Sequence, residues 1–85
     1  MSERLLSVHK FGGTSLGDAE RIVRAARLLA AASRRRRVVA VASAMGGATD
    51  LLLRAAHEAE RGRLGPALRS VAELRARHEA AAAGI

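Results

Sequence analysis

Cysteine is absent from this chain of 85 residues, as are tryptophan and tyrosine, and proline occurs once. Without cysteine there are no disulfides to reinforce a small domain and no thiolate chemistry, an absence that suits the cytosol. Phe11 is the sole aromatic residue. Single-strand nucleic-acid binders stack bases on aromatic faces, so the net charge of +7 is not enough to make this chain one of them. No apolar run reaches the length of a membrane span, and the N-terminal apolar run is too short for a secretory signal. The expectation is a cytoplasmic protein that engages neither nucleic acid nor membrane. His9, His57 and His78 fit no metal-ligand spacing, and no protein-held metal is expected. His9 reads as a residue of the strand's second face, His57 as solvated and His78 as partly buried.

Lysine is almost absent too. Lys10 stands alone among fifteen basic side chains, the rest being arginine. A chain that uses arginine everywhere else points at this position to something guanidinium cannot offer. That is a compact ammonium able to sit as a point charge on one phosphate oxygen. Lys10 closes a short apolar run (Leu5, Leu6, Val8, Phe11) that reads as a strand, and Gly12 and Gly13 then turn the chain. Ser15-Leu16-Gly17-Asp18 matches a helix-capping pattern. Ile22, Ala25, Ala26, Leu29 and Ala30 then make one apolar face of a helix over about 18–32, with Glu20, Arg24 and Arg27 opposite. Four consecutive arginines, 34–37, read as a solvated connection.

Residues 38–42 are continuously apolar and rich in valine, which predicts a parallel strand buried on both faces. A second small-residue loop, Ser43-Ala44-Met45-Gly46-Gly47-Ala48, follows, and Thr49 or Asp50 is placed to cap a second helix. In that helix Leu52, Ala55, Ala56 and Ala59 form the expected core stripe, and Gly62 ends it. Gly65-Pro66 opens a third helix with Ala67, Leu68, Val71 and Leu74 inward, Arg69, Glu73 and Arg77 outward, and a fraying alanine tract at 80–83. The order is strand, helix, strand, helix, helix: an α/β chain that begins an open parallel sheet and leaves it incomplete, since two strands leave both edges unpaired. No linker divides residues 1–85, which read as the N-terminal part of one domain.

Both glycine loops follow a strand and precede a helix, and in an open parallel sheet ligands collect beyond the carboxyl ends of the strands. The two loops should therefore lie side by side. Glycine lets backbone N–H groups approach an anion, and the helix N-terminus behind adds partial positive charge. Lys10 would supply full charge, and Thr14 and Ser15 hydroxyl donors. The spacing is neither the Walker A pattern nor that of a dinucleotide fold. On composition alone, Lys-Phe-Gly-Gly is equally compatible with an ordinary strand-to-helix turn.

Lys10-Phe11-Gly12-Gly13-Thr14-Ser15 resembles the N-terminal signature of the aspartate kinases, within the amino acid kinase superfamily. Relatives acting on glutamate, acetylglutamate, carbamate or UMP share the lysine and glycines but not the full hexamer. Asp18-Ala19-Glu20-Arg21-Ile22 resembles the start of that family's first helix. Ser43-Ala44-Met45-Gly46-Gly47-Ala48-Thr49-Asp50-Leu51-Leu52 resembles its second loop. The region is shared by monofunctional aspartate kinases and those fused to homoserine dehydrogenase.

The resemblance implies transfer of the ATP γ-phosphoryl group to the aspartate β-carboxylate with Mg²⁺, giving 4-phospho-aspartate, the first step toward lysine, threonine and methionine. It makes Lys10 the main catalytic group. Lys10, Gly12, Gly13, Thr14, Ser15, Ser43, Gly46 and Gly47 become the ATP-phosphate site. Ala44 and Thr49 become contacts to aspartate. It implies a homo-oligomer at full length. A later glutamate, an Arg-Asp pair and regulatory ACT domains have no counterpart in these residues, which leaves a truncated, non-catalytic nucleotide-binding or docking module as the alternative. The isolated chain is expected to be inactive: a coupled assay should detect no aspartate-dependent ADP release above background.

Overall fold

The computed structural model describes residues 4–85, which form two compact units divided after Gly46. In the first unit, β1 (Leu6–Phe11) leads through a short 3₁₀ turn (Thr14–Leu16) into α1 (Ala19–Ser33) and then β2 (Arg37–Ala42). The second unit holds α2 (Ala48–Glu60) and α3 (Leu64–Ala83). The strand-helix-strand-helix-helix order is the one anticipated from the apolar periodicities.

β1 and β2 pair in parallel, Leu6 against Arg37 through Phe11 against Ala42. The ladder runs on at both ends, since Arg37 N–H donates to Leu5 O and Ser43 N–H to Phe11 O, each at 3.0 Å. Partners in such a register share a face. Ser7, His9 and Phe11 with Val38 face α1 and are half-buried, whereas Leu6, Val8, Lys10, Val39 and Val41 are exposed. The expectation that β2 is buried on both faces therefore fails within this unit. One face lies under α1, and no described residue of the first unit covers the other. His9 is on the α1 side, where its Nε2 shares a 2.7 Å hydrogen bond with Ser7 Oγ.

α1 begins one residue later than expected because Asp18, not Ser15, is its N-cap, accepting the Arg21 N–H at 2.9 Å. Its covered face is Ile22, Val23, Ala25 and Leu29, with Ala26 and Ala30 exposed.

α2 and α3 form a helical hairpin turned by Arg61, Gly62 and Arg63, with Gly62 at φ 73° after the helix end. Its seam differs from the expected one on both helices. Ala48 and Leu51 of α2 are buried, while Leu52, Ala56 and Ala59 are exposed. On α3 the buried residues are Ala67, Ser70 and Ala81, Leu74 and Arg77 are half-buried, and Leu68 and Val71 are exposed. The burial divides by helix: Leu51 is the large side chain that α2 buries, and the buried residues of α3 are all small. The tract expected to fray stays helical to Ala83, and His78 is exposed, its Nδ1–H donating to Leu74 O at 2.8 Å.

The two candidate seams are separable by experiment. Leu51→Ala should cost about 2–3 kcal/mol in urea unfolding, as expected for a buried leucine. Leu52→Ala should stay within roughly 1 kcal/mol, as expected for an exposed one. Equal losses would restore the seam read from periodicity.

Candidate active site

The carboxyl end of β1 delivers Gly12 and Gly13 to the 3₁₀ turn, which Leu16 closes by donating its N–H to Gly13 O at 3.2 Å and burying its side chain. A Cβ built on Gly12 would meet nothing within 4 Å, so its backbone stands open to solvent. The Thr14 and Ser15 hydroxyls are exposed and bond to no other described residue.

The second loop leaves β2 beside the first because the Ser43 N–H is tied to Phe11 O. Three residues on, Gly46 presses on Gly13: a Cβ on Gly46 would lie 2.9 Å from Gly13 O, and one on Gly13 would lie 3.3 Å from Gly46 Cα. The two loops thus meet backbone to backbone, as expected. Lys10, Gly12, Gly13, Thr14, Ser15, Ser43, Ala44 and Gly46 consequently share one edge of the first unit. Gly47 and Thr49 lie in the second unit.

Lys10 and the hydroxyls approach that edge from different sides. Lys10 is exposed on the sheet face that α1 does not cover, and no carboxylate of the described residues pairs with it. Thr14 and Ser15 instead line a cleft of about 300 Å³ on the α1 side, together with Phe11, Arg21, Arg24 and Leu28. Arg21 donates from Nη1 to Thr14 O at 2.8 Å, and Arg24 pairs with Glu20 at 3.6 Å. These two arginines were not among the site residues expected from the sequence. Arg24 was placed on the solvated face, and the helical spacing from Asp18 to Arg21 and Arg24 was the signal that could have found them.

Ser43 is already committed. Its N–H holds Phe11 O and its hydroxyl donates to Ala44 O at 2.7 Å, so it must release a bond before donating to a ligand.

In the second unit the N-cap of α2 is Gly47 at φ 84°, not Thr49 or Asp50, and no side chain caps the helix. Leu51 N–H bonds to Gly47 O, which puts the Ala48, Thr49 and Asp50 N–H groups ahead of the helical ladder. Thr49 is exposed in that first turn. Arg77, expected on the outer face of α3, is half-buried with Nη1 only 2.6 Å from where a Gly47 Cβ would stand.

Among the described residues no group of three His, Asp or Glu side chains could hold a metal ion. Asp18, beside the first loop, is occupied by the Arg21 N–H. The described residues therefore supply no ready-made cluster of three such ligands.

The family model for the amino acid kinase family matches residues 6–84. The chain belongs to the amino acid kinase family. Membership marks it as a kinase-type phosphotransferase, and its two-stranded parallel sheet is an incomplete form of that fold. No curated protein and no solved structure matches the chain. No helix among the described residues is long and apolar enough to cross a membrane.

Two substitutions test the geometry of this family's paired loops. Gly46→Ala should push the first unit's loops apart and cost roughly 1–3 kcal/mol, as overpacking does. Gly47→Ala should cost at least about 1–2 kcal/mol, the strain of a Cβ in the left-handed region, with Arg77 displaced besides. Thermal unfolding of both variants, with amide chemical shifts of Gly12 and Gly13 for the first, reads the effects; unchanged shifts in Gly46→Ala would contradict the loop contact.

Proposed function

We propose that the chain carries the phosphate-gripping part of an aspartate kinase, which moves the ATP γ-phosphoryl group to the aspartate β-carboxylate. The observation that carries the phosphate reading is the contact between Gly13 and Gly46, because it joins both motif blocks into one polar edge. Aspartate as acceptor is supported by the resemblance of the whole hexamer from Lys10 to Ser15.

The chemistry asks little of the protein beyond position and charge. A carboxylate is already ionised and nucleophilic at neutral pH, so no general base is needed. As the β-carboxylate oxygen bonds to the γ-phosphorus, the bond to the β-γ bridging oxygen breaks and ADP leaves with the electron pair. Lys10 then opposes charge on the transferring oxygens as a point cation. The Gly12 and Gly13 backbone lets phosphate oxygens come close, and Thr14 and Ser15 offer free hydroxyl donors. Gly46 brings the second loop within reach, and Ser43 can contribute once it lets go of Ala44 O. Gly47 opens α2 with N–H groups ahead of its ladder, and Ala44 and Thr49 are assigned to aspartate. Mg²⁺ would arrive with the nucleotide, and none of these roles depends on a protein carboxylate holding it.

The deciding assay follows ADP release by the polypeptide of the complete reading frame, with aspartate, glutamate, acetylglutamate, carbamate or UMP as acceptor. Aspartate alone should support turnover, and Lys10→Ala should lower kcat by roughly a hundred-fold or more, as loss of a positioned charge donor does. ATP binding without turnover on any acceptor would favour the binding-module alternative. Gly12→Ala is the cleanest loop variant: with no neighbour to clash, stability should shift by under about 0.5 kcal/mol while ATP affinity falls. Unchanged affinity would remove Gly12 from the site.

A further inference from the structure

We propose that Arg21 is a positioning residue that holds the first glycine loop in its ligand-ready shape, an inference that rests on the phosphate reading above. The 3₁₀ turn at Thr14–Leu16 is only three residues long and carries exposed hydroxyls, and its Leu16 N–H donates to Gly13 O at 3.2 Å. Such turns are weakly self-supporting. Something outside the turn has to fix it.

Arg21 is built to do so. Its position is set from α1, where its N–H is the group that Asp18 caps at 2.9 Å. From there the side chain folds back over Gly17, Nη1 standing 3.4 Å from where a Gly17 Cβ would be. The same Nη1 donates to Thr14 O at 2.8 Å, while Nε faces Asp18 Oδ2 at 3.9 Å. One planar guanidinium thus touches the turn with one nitrogen and the cap residue with another. A lysine would replace this planar fork by a compact ammonium on a flexible stem. Arg21 touches the loop through the Thr14 carbonyl, leaving the Thr14 and Ser15 hydroxyls free for a ligand. It therefore acts through the loop and not on the reacting atoms.

Arg24 supplies the internal comparison. It lines the same cleft and carries the same charge, yet it pairs with Glu20 at 3.6 Å and not with the loop. If charge alone mattered, the two arginines would be equivalent.

The test uses the chain itself, with Arg21→Ala, Arg21→Lys and Arg24→Ala variants. Amide exchange at Leu16 reads the turn, and titration with MgATP reads the ligand. Arg21→Ala should speed Leu16 exchange and weaken MgATP binding, each by about three- to ten-fold, the range for one charge-assisted hydrogen bond at an exposed site. Arg21→Lys should fall between, and Arg24→Ala should leave Leu16 exchange unchanged. Unchanged Leu16 exchange in Arg21→Ala, or equal effects of Arg21→Ala and Arg24→Ala, would overturn the proposal. If MgATP binds neither this chain nor the polypeptide of the complete reading frame, the phosphate reading fails, and Leu16 exchange alone still decides whether Arg21 holds the turn.

Discussion

A carbonyl oxygen meeting an α-carbon that can carry no side chain is the constraint on which the first unit's site depends. Gly46 and Gly13 stand so close that a methyl group on Gly46 would fall inside the van der Waals envelope of Gly13 O. The parallel register brings the loops to the same edge, and the Ser43–Phe11 bond extends that register by one residue past the strands. The glycines then allow the final approach. Register, ladder extension and missing side chains act in sequence. Losing the last would leave two separate turns where there is now one edge.

What the sequence revealed divides by the kind of force involved. The strands, the loop positions and the helix order were legible because β-branched runs, glycine pairs and turn residues act locally. The helix faces of the second unit were not. Leu51, Leu52 and Leu53 sit side by side and carry no phase, and the nearest alanines, Ala48, Ala55 and Ala56, do not favour one of them. Packing decided for Leu51 with Ala48, Ala67, Ser70 and Ala81, a seam of small residues that a search for the largest apolar side chains passes over. The same shift in phase turned Arg77 from an outer residue into the neighbour of Gly47. Thr49 and Asp50 failed as caps for a related reason: Gly47 takes the left-handed conformation and starts α2 before either is reached.

The placement of the candidate residues was more legible than the core. The hexamer and the second block named eight positions that lie together in the first unit, because backbone chemistry at a strand end is dictated by nearby residues. Arg21 escaped because its contribution is a hydrogen bond to a main-chain carbonyl, which the spacing from Asp18 could place near the loop but not aim at it. The core was misjudged because burial depends on what lies opposite. Leu6, Val8, Val39 and Val41 have the composition of a buried sheet face, yet all are about half exposed or more within these units. None of the described large side chains is fully buried, which is what an incomplete sheet of this family would show.

The placement of positive charge gives the edge its chemical logic. Arg21 and Arg24 flank the hydroxyls on the α1 side of the sheet, and Lys10 stands on the opposite side, with Gly12 and Gly13 at the edge between them. A phosphate seated at that edge would have cations to either side and backbone in front. The division also explains why one lysine persists in an arginine-rich chain. Arg21 presents one nitrogen of its planar fork to a carbonyl, within hydrogen-bond distance, and another toward a carboxylate 3.9 Å away. Lys10 has no such pair of partners among the described residues, and under the proposed function its exposed ammonium would be free to follow an oxygen that moves during transfer. A rigid fork suits holding the loop, and a mobile point charge suits the reaction.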